Sequence, residues 1–447
     1  MEKLRKYFKT TTASKHFYIL IVFLCLALIA AFCSRLFVHN KYPLILSGLF
    51  LFLALALPLE DSFYLMFIFL PCEALFDGFG FTYTINFIIA IVSLKYLFLK
   101  KDFLNPLLIL PGLILIYDVI LILINGYPIS SVLSSTSNFF AYSLFLTFAC
   151  REKPVNGRWL YASLFIGLFL SFCFGFLEIL YLSKGNISIH QRYWGMLRDP
   201  NYFAYFCLIL IFSYNCFFRS GTFKAVFVEL VLLTIGTLSY SKMFFFCVLL
   251  GFMIYLLLNF RRLLSESKTI LVASFLVLIS LTVAYFTGLL SNVIEKILLR
   301  FQGTDLTTGR LTLDAMFIKG LFDSPLSLLF GRSTNYALFY HFDFGGSTNV
   351  ACHCVYIELL LSWGLFGAVI VFAIAVAYLN ANRKRASLLC FLRSSFFVCL
   401  LVTLFCLAAL PWLTADIAPL SFLFLGVAYQ NEKIPSFAVF VRRIAIS

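Results

Sequence analysis

The sequence predicts an all-α polytopic membrane protein, and three properties of its composition and patterning support this prediction. The 447 residues are 62% hydrophobic and only 12% charged, with a mean hydropathy of +0.99, whereas soluble proteins carry about a quarter charged residues. Most of the apolar stretches run for about 17–25 residues, the length that a helix needs to cross a bilayer. No stretch alternates apolar and polar residues over ten positions, as the strands of a membrane β-barrel would.

These apolar stretches predict about 14 transmembrane helices. They lie at 17–34, 43–59, 62–76, 81–99, 106–125, 130–149, 159–182, 201–217, 225–240, 243–259, 269–288, 353–379, 388–409 and 416–430. The chain thereby divides into four segments. These are N-terminal helices at 1–158, central helices with a first motif loop at 159–288, a long loop at 289–352, and C-terminal helices with a tail at 353–447.

The distribution of basic residues predicts the orientation of the helices. With the amino terminus inside, the predicted cytoplasmic loops carry 21 of the 34 Lys and Arg residues, and the external loops carry 11. Cytoplasmic loops are enriched in Lys and Arg, so the net charge of +14 is a topology signal rather than evidence of nucleic-acid binding. Both termini are therefore predicted to be cytoplasmic, and the loops at 183–200 and 289–352 external.

The long loop is predicted to contain short amphipathic helices. Residues 289–301 and 311–322 place apolar side chains at helical spacing with charges between them. Residues 331–349 are rich in Gly, Ser, Thr, Asn and aromatic residues, which predicts an irregular lid. The loop carries five cations and five anions, so any binding of an anion has to come from a few placed residues.

The first external loop contains a candidate substrate-binding cluster. Its candidates are Arg192, Trp194, Arg198 and Asn201. Asp199 and Pro200 are explained as the N-cap and first residue of the next helix, but that explanation does not cover the two arginines. Arginine at a membrane surface is costly unless it is paired, and its guanidinium is the best bidentate partner of a phosphate.

Three further positions carry candidate functional side chains. Lys242 is the charge in a tight turn between two apolar stretches, where it either snorkels to the surface or binds a phosphate. Arg310 follows Gly309 at the start of a predicted loop helix. His353 lies at the mouth of a membrane span, with Tyr356 behind it, and imidazole titrates near neutrality, so His353 is a candidate proton acceptor.

A zinc site at Cys352 and Cys354 is weakly supported. Two thiols at this spacing point to different sides of a helix, and no second cluster of Cys and His residues faces them. No Asp-x-Asp or Glu-x-Asp pair that could hold a divalent ion occurs on a predicted external loop. We therefore expect no metal.

Together, these motifs resemble the O-antigen ligase and O-antigen polymerase superfamily of membrane glycosyltransferases. In chain order they are Arg-x-x-Gly at 192–195, Asp-Pro-Asn-Tyr-Phe-Ala at 199–204, Ser-Lys at 241–242, Gly-Arg at 309–310, and His-x-x-Tyr followed by Gly-x-x-Gly at 353–367. The resemblance covers residues 159–377. Two residues depart from the pattern: Lys242 stands where the family usually has Arg, and Cys354 where it often has Asn.

The resemblance implies a GT-C-like fold and a glycan donor on undecaprenyl pyrophosphate, with no cofactor. It implies His353, Arg192 and Arg310 as catalytic residues. The implied substrate-binding residues are Arg198, Lys242, Asn201, Trp194 and Tyr356. We expect a polymerase that joins lipid-linked repeat units of O-antigen, capsule or exopolysaccharide, with inversion, at the external face of the bacterial inner membrane. The lipid bilayer and a chain-length regulator protein are the expected partners, and nucleic acid is not.

Three alternatives remain. A ligase that transfers the glycan to lipid A–core would use the same motifs with another acceptor. A polysaccharide transporter or flippase belongs to a different class, which usually shows internal repeats and helices broken at the membrane midplane. The third alternative is a structural assembly subunit.

Overall fold

The computed structural model describes most of the predicted helices and parts of the loops between them. The described residues are 14–37, 42–76, 84–100, 106–128, 155–182, 192–197, 199–218, 223–265, 294–295, 298–299, 309–340, 352–382, 394–410, 424–429 and 431. Every regular element within these ranges is helical. The predicted all-α class is thereby confirmed.

The helices of the described ranges are numbered in chain order. The α-helices are α1 (Ser14–Phe37), α2 (Tyr42–Ala56), α3 (Leu59–Phe69), α4 (Thr84–Lys100), α5 (Pro106–Ile124), α6 (Gly157–Leu182), α7 (Pro200–Phe217), α8 (Phe223–Thr237), α9 (Lys242–Ser265), α10 (Arg310–Asp323), α11 (Pro325–Phe330), α12 (Val355–Asn382) and α13 (Ser395–Leu407). Short 3₁₀ helices cover Leu70–Phe76 and Tyr336–Leu338.

The chain forms two compact units. The first consists of Met1–Leu164, Thr307–Lys384 and Leu407–Val427, and the second of Phe165–Leu306, Arg385–Cys406 and Ala428–Ser447. Within the first unit, α12 packs against α5, α10 and α11, and α1 to α4 pack on one another. Within the second unit, α7 packs against α8 and α9. The four sequence segments proposed above stay a prediction.

Among the described residues, three helices are long and apolar enough to cross a membrane. They contain the stretches His16–Ser34, Gly157–Leu182 and Val355–Ala373. Shorter apolar helical stretches cover Ile88–Leu99, Gly112–Ile124, Lys242–Leu257 and Ser395–Leu407. On α1, Tyr18 and Ile19 are each 67% exposed, and large apolar side chains exposed side by side are typical of a surface that contacts lipid. These observations support a helical membrane protein.

The prediction of 14 spans does not hold within the described residues. Helices α2 and α8 contain 15 residues each, which is shorter than the roughly 20 residues needed to span a bilayer. The predicted spans at 130–149 and 269–288 lie outside the described residues. Apolar length by itself therefore overestimated the number of spans.

The predicted span at 62–76 is wrong for a clear physical reason. Helix α3 has only 11 residues and is followed by a 3₁₀ helix that kinks at Cys72. At 1.5 Å per residue, 11 residues cover roughly 16 Å, about half of the hydrocarbon thickness. Every α3 residue except Asp61 is buried. The apolar side chains of this segment therefore pack inside the protein instead of facing lipid.

Helix α12 is broken at Gly364, where φ is 62°. A Cβ atom there would lie 2.4 Å from the carbonyl oxygen of Leu329, so only glycine fits this close approach. The backbone N–H groups of Arg332 and Ser333 donate to the carbonyl oxygens of Leu361 and Ser362, both at 2.8 Å. The break leaves these carbonyl oxygens without a hydrogen-bond partner in the helix, and the two bonds supply one. Backbone polar groups at membrane depth need such partners.

A buried carboxyl group next to this break joins three elements. Asp118 of α5 is 1% exposed. Its oxygens accept hydrogen bonds from the backbone N–H of Thr334 at 3.0 Å, the hydroxyl of Thr334 at 3.1 Å and the indole N–H of Trp363 at 2.9 Å. Asp118 thereby ties the segment after α11 to the break in α12.

We expect Asp118→Ala to lower the stability of the protein by on the order of 3 kcal/mol, because three buried donors lose their acceptor. The measurement is the thermal unfolding temperature of the purified protein in detergent. Asp323→Ala, which removes an exposed acid at the end of α10, is the matched control. An unfolding temperature of Asp118→Ala equal to that of this control would contradict the role of Asp118.

Candidate functional site

In the second unit, three sequence motifs meet at the side chain of Asn201. Arg192 donates from Nη2 to Asn201 Oδ1 at 2.9 Å, and Ser241 donates from its hydroxyl to the same oxygen at 2.8 Å. Arg192 also donates from Nε to the carbonyl oxygen of Ser239 at 3.2 Å. The Arg-x-x-Gly, Asp-Pro-Asn and Ser-Lys motifs, which are separate in sequence, therefore form one cluster, named here the Arg192 cluster.

The backbone around Arg192 is held against α6 and the turn before α9. The N–H of Tyr193 donates to Leu238 O at 3.1 Å, and the N–H of Met196 donates to Ser171 Oγ at 2.8 Å. Gly195 has φ +59, and a Cβ atom on it would lie 2.6 Å from Ser171 Oγ. The spacing of Arg-x-x-Gly is thus explained by a close approach that only glycine permits.

The start of α7 follows the sequence prediction. Asp199 caps the helix by accepting from the N–H of Asn201 at 2.6 Å, and Pro200 is the first helical residue. The cap positions Asn201 in the first turn, where its side chain is 4% exposed. The N-cap and the hydrogen bond to Arg192 therefore share one short stretch of chain.

The Ser-Lys motif follows a turn with an unusual backbone conformation. Tyr240 has φ 46, in the left-handed region that residues other than glycine rarely occupy. Ser239 and Ser241 are fully buried. Lys242 is half-buried and begins α9, at the helix end that favours an anion. The arrangement suits an anion, and the role of Lys242 stays a prediction.

In the first unit, Asp314, one helical turn after Arg310, is hydrogen-bonded to the segment that carries His353. Gly309 has φ 80, and α10 begins at Arg310, which donates from Nη1 to Ala409 O at 2.8 Å. One turn later, Asp314 accepts from the thiol of Cys352 at 3.2 Å and from the backbone N–H of His353. The carboxyl group is therefore the link between two motifs, and we name this group the Arg310 cluster.

Burial changes the pKa values of two groups in the Arg310 cluster, Asp314 and Cys352. It raises the pKa of Asp314 above its usual range, although the hydrogen bond from Cys352 and the charge of Arg310 oppose this shift. Burial also raises the pKa of the Cys352 thiol. The contact of the Cys352 thiol with Asp314 shows that this side chain acts as a hydrogen-bond donor within the cluster. Among the described residues, no group of three or more His, Cys, Asp and Glu could hold a metal ion.

The segment that carries His353 is further anchored by a buried tyrosine. The backbone N–H of Cys352 donates to the hydroxyl of Tyr336 at 2.9 Å, and Tyr336 is fully buried with its ring edge-on to Phe317. Burial and the nearby Glu358 raise the pKa of Tyr336 well above its ordinary value. His353 itself is half-buried, two residues before α12 begins. Its backbone is therefore fixed while its side chain remains partly accessible.

The remaining candidates divide into exposed aromatic residues and residues outside the described ranges. Trp194 is 42% exposed and Tyr356 is 46% exposed, as a side chain that stacks on a sugar would be. Arg198 lies outside the described residues. Their roles stay predictions.

Sequence reasoning missed Asp314, Tyr336 and Asp118. Asp314 had one usable signal, because an acid four residues after Arg310 lies on the same face of a helix. No signal in the sequence singled out Tyr336, since aromatic residues are abundant in it. Asp118 was visible as an acid inside an apolar stretch, a pattern that by default indicates a functional or structural role.

The Asn201 side chain can be tested by two substitutions with opposite consequences. Asn201→Ala leaves the donors of Arg192 and Ser241 without their acceptor, so we expect it to lower stability by about 1–3 kcal/mol. Asn201→Asp keeps an acceptor and adds a negative charge next to Arg192. We expect Asn201→Asp to unfold at or above the wild-type temperature but to lose activity, because the added carboxylate competes with an anionic substrate. Wild-type activity of Asn201→Asp would contradict an anion-binding Arg192 cluster.

A scan of the sequence against protein-family models gives no match, and a search of curated protein sequences gives none either.

Proposed function

We propose that the protein is a membrane glycosyltransferase that polymerises oligosaccharide repeat units carried on undecaprenyl pyrophosphate. The observation that carries the proposal is the joining of separate motifs. Arg192, Asn201 and Ser241 are hydrogen-bonded in the second unit. In the first unit, Asp314, one helical turn after Arg310, is hydrogen-bonded to Cys352 and to the backbone of His353. Convergence of this kind is typical of functional residues, and the five motifs resemble one family in order and spacing.

The proposed reaction is a single displacement at an anomeric carbon. The hydroxyl oxygen of the acceptor sugar bonds to this carbon, the bond from the carbon to the phosphate oxygen breaks, and lipid pyrophosphate leaves with the electron pair. The hydroxyl proton passes to an imidazole nitrogen of His353, which acts as the general base. One displacement inverts the configuration.

Arg192 and Arg310 are assigned to the charge that develops on the pyrophosphate. Guanidinium groups stabilise such charge without a metal ion. Arg192 is oriented by Asn201 and Ser239, and Arg310 by Ala409, so neither side chain has to be ordered when the substrate binds. Lys242, Arg198, Trp194 and Tyr356 are assigned to substrate binding.

The ligase alternative differs only in the acceptor, and the same residues would serve it. The transporter alternative has one observation in its favour, the break in α12 beside the buried Asp118. Carbonyls at the break accept from Arg332 and Ser333, and Asp118 already accepts from Thr334 and Trp363. Because these acceptors are occupied, the break is better explained as a structural joint than as a transport site.

We also propose that both termini are cytoplasmic and that the motif loops face the external side of the bacterial inner membrane. The 21-to-11 division of the basic residues supports this orientation. Labelling of single cysteines by an impermeant maleimide in a cysteine-free protein tests it. We expect residue 335 and not residue 265 to react from outside, and the opposite pattern would exclude the proposed orientation.

The deciding experiment uses purified protein in nanodiscs with a lipid-pyrophosphate-linked repeat unit as the only substrate. We expect a ladder of polymer, at a rate that EDTA leaves unchanged. Adding lipid A–core distinguishes the ligase, which would transfer the glycan to it and form no ladder. If neither product forms while the glycan moves across a sealed vesicle membrane, the transporter alternative is correct.

A further inference from the structure

A third arginine, Arg332 of the first unit, is held by neutral partners within the part of the chain that the structure describes. It donates from Nε to Ser327 Oγ at 2.6 Å, from Nη1 to Asn125 Oδ1 at 3.0 Å and from Nη2 to Ser324 Oγ at 3.5 Å. Its Cζ atom lies 3.8 Å from the ring centroid of Phe339. A guanidinium has five N–H groups, so these contacts leave two of them for another acceptor.

Two residues after Asn125, which accepts from Arg332, Tyr127 has a buried hydroxyl group. It forms no hydrogen bond with any residue that the structure describes. Arg332 donates to Asn125 Oδ1 at 3.0 Å, so its guanidinium is held two residues along the chain from Tyr127. Burial raises the pKa of Tyr127, and the charge of Arg332 opposes this shift. Tyr340 lies near the same charge.

The backbone holds Tyr127 in position at the end of α5. Gly126 has φ +67, and the N–H groups of Gly126 and Tyr127 donate to the carbonyl oxygens of Leu123 and Ile122. This pattern is a Schellman cap, which ends a helix in a fixed geometry. The unused hydroxyl is therefore a feature of an ordered helix end.

The Arg332 guanidinium and the Tyr127 hydroxyl both lower the stability of the protein when no ligand is bound. The positive charge of a half-buried guanidinium with neutral partners is balanced only in part by the carbonyl end of α5. A buried hydroxyl without a hydrogen-bond partner lowers stability. One anion would satisfy both of them. Large apolar side chains just before Arg332 are exposed, with Leu329 and Phe330 each at 47%. We therefore expect the anionic group to belong to a molecule that also has an apolar part.

We propose that Arg332 and Tyr127 bind the phosphate group of an isoprenyl-lipid pyrophosphate. The residues differ from those assigned to the glycan donor. In the proposed polymerisation both reactants are lipid pyrophosphates, so this site holds the acceptor. That assignment to the acceptor rests on the proposed function, whereas the binding of the phosphate group does not.

The test uses full-length protein in phosphatidylcholine nanodiscs, with Arg192→Ala and Arg310→Ala as the background so that the proposed donor residues do not bind. The probe is farnesyl pyrophosphate, and its binding is measured by isothermal titration calorimetry. We expect the background protein to bind it, and Arg332→Gln or Tyr127→Phe to weaken binding by about 10-fold or more, the range for a lost hydrogen bond to a charged group.

Tyr127→Phe should leave the unfolding temperature unchanged or raise it, because the hydroxyl has no hydrogen-bond partner among the described residues. Tyr117→Phe is the matched control. The Tyr117 hydroxyl donates to Phe330 O at 2.5 Å, so this variant should unfold at a lower temperature and bind the probe as its parent does.

Equal affinity for the probe in the Tyr127→Phe variant and its parent would overturn the site. Displacement of farnesyl pyrophosphate by an equal amount of phosphatidylglycerol would overturn the isoprenyl assignment in favour of a phospholipid headgroup. Both readouts are independent of polymer ladders. A protein that binds in this pattern but forms no ladder would refute the proposed function and leave the phosphate site standing.

Discussion

Replacing His353 with alanine or glutamine is expected to reduce polymer formation by about 10²–10⁴-fold, the usual contribution of a general base. Binding of the lipid-linked substrate should be nearly unchanged, because a base acts in the transition state more than in the ground state. The structure gives this residue a fixed backbone, through the hydrogen bonds of Cys352 to Tyr336 and of His353 to Asp314. The loss should therefore be a loss of chemistry and not of folding.

The measurement is the initial rate of ladder formation in nanodiscs, together with substrate affinity and unfolding temperature. His16→Ala, which removes an exposed histidine of α1, is the matched control and should have no effect. The wild-type rate should rise with pH as imidazole loses its proton, since only the neutral ring accepts one. If His353→Ala retains more than roughly a tenth of the wild-type rate, His353 is not the base.

Replacing Arg192 with alanine is expected to reduce polymer formation by about 100-fold or more, as is typical when a donor to developing negative charge is removed. Arg192→Lys should restore little of this activity. The arginine bridges Asn201 and the carbonyl of Ser239 through two different nitrogens, and the single ammonium group of lysine cannot reproduce that planar fork.

Arg158→Ala, at an exposed arginine in the first turn of α6, is the matched control for the loss of one positive charge. Polymer yield is measured on gels, and the amount of protein in the membrane fraction is measured in parallel. Lys242→Arg, which introduces the residue usual in the resembled family, should be tolerated or improve the rate. Wild-type yield from Arg192→Ala would exclude the assignment of Arg192 to pyrophosphate.

The local parts of the site could be predicted from the sequence. Asp199 and Pro200 begin α7 as expected, and α10 begins at Arg310 after a glycine with positive φ. Signals of this kind act between residues that are at most a few positions apart, so they can be recognised in one sequence.

The partners of these residues could not be predicted. Nothing in the sequence joins Asn201 to Ser241, 40 positions away, or Asp314 to Cys352, 38 positions away. Such contacts depend on which helix faces are opposed, which apolar patterning does not specify in a chain where nearly every helix is apolar on all sides. The same limit explains why Asp118 was overlooked.

The sequence by itself predicted the helical class, the presence of helices apolar enough to span a membrane, and the beginnings of α7 and α10, because composition and capping are local properties. Tertiary structure alone decided that the apolar segment at 62–76 is a buried short helix, and that α12 breaks at Gly364. It also decided that Arg332 binds Asn125, two residues before Tyr127. The physical reason is the same in each case. Burial, close approach and compensation of charge depend on residues that are distant in the chain and adjacent only after packing.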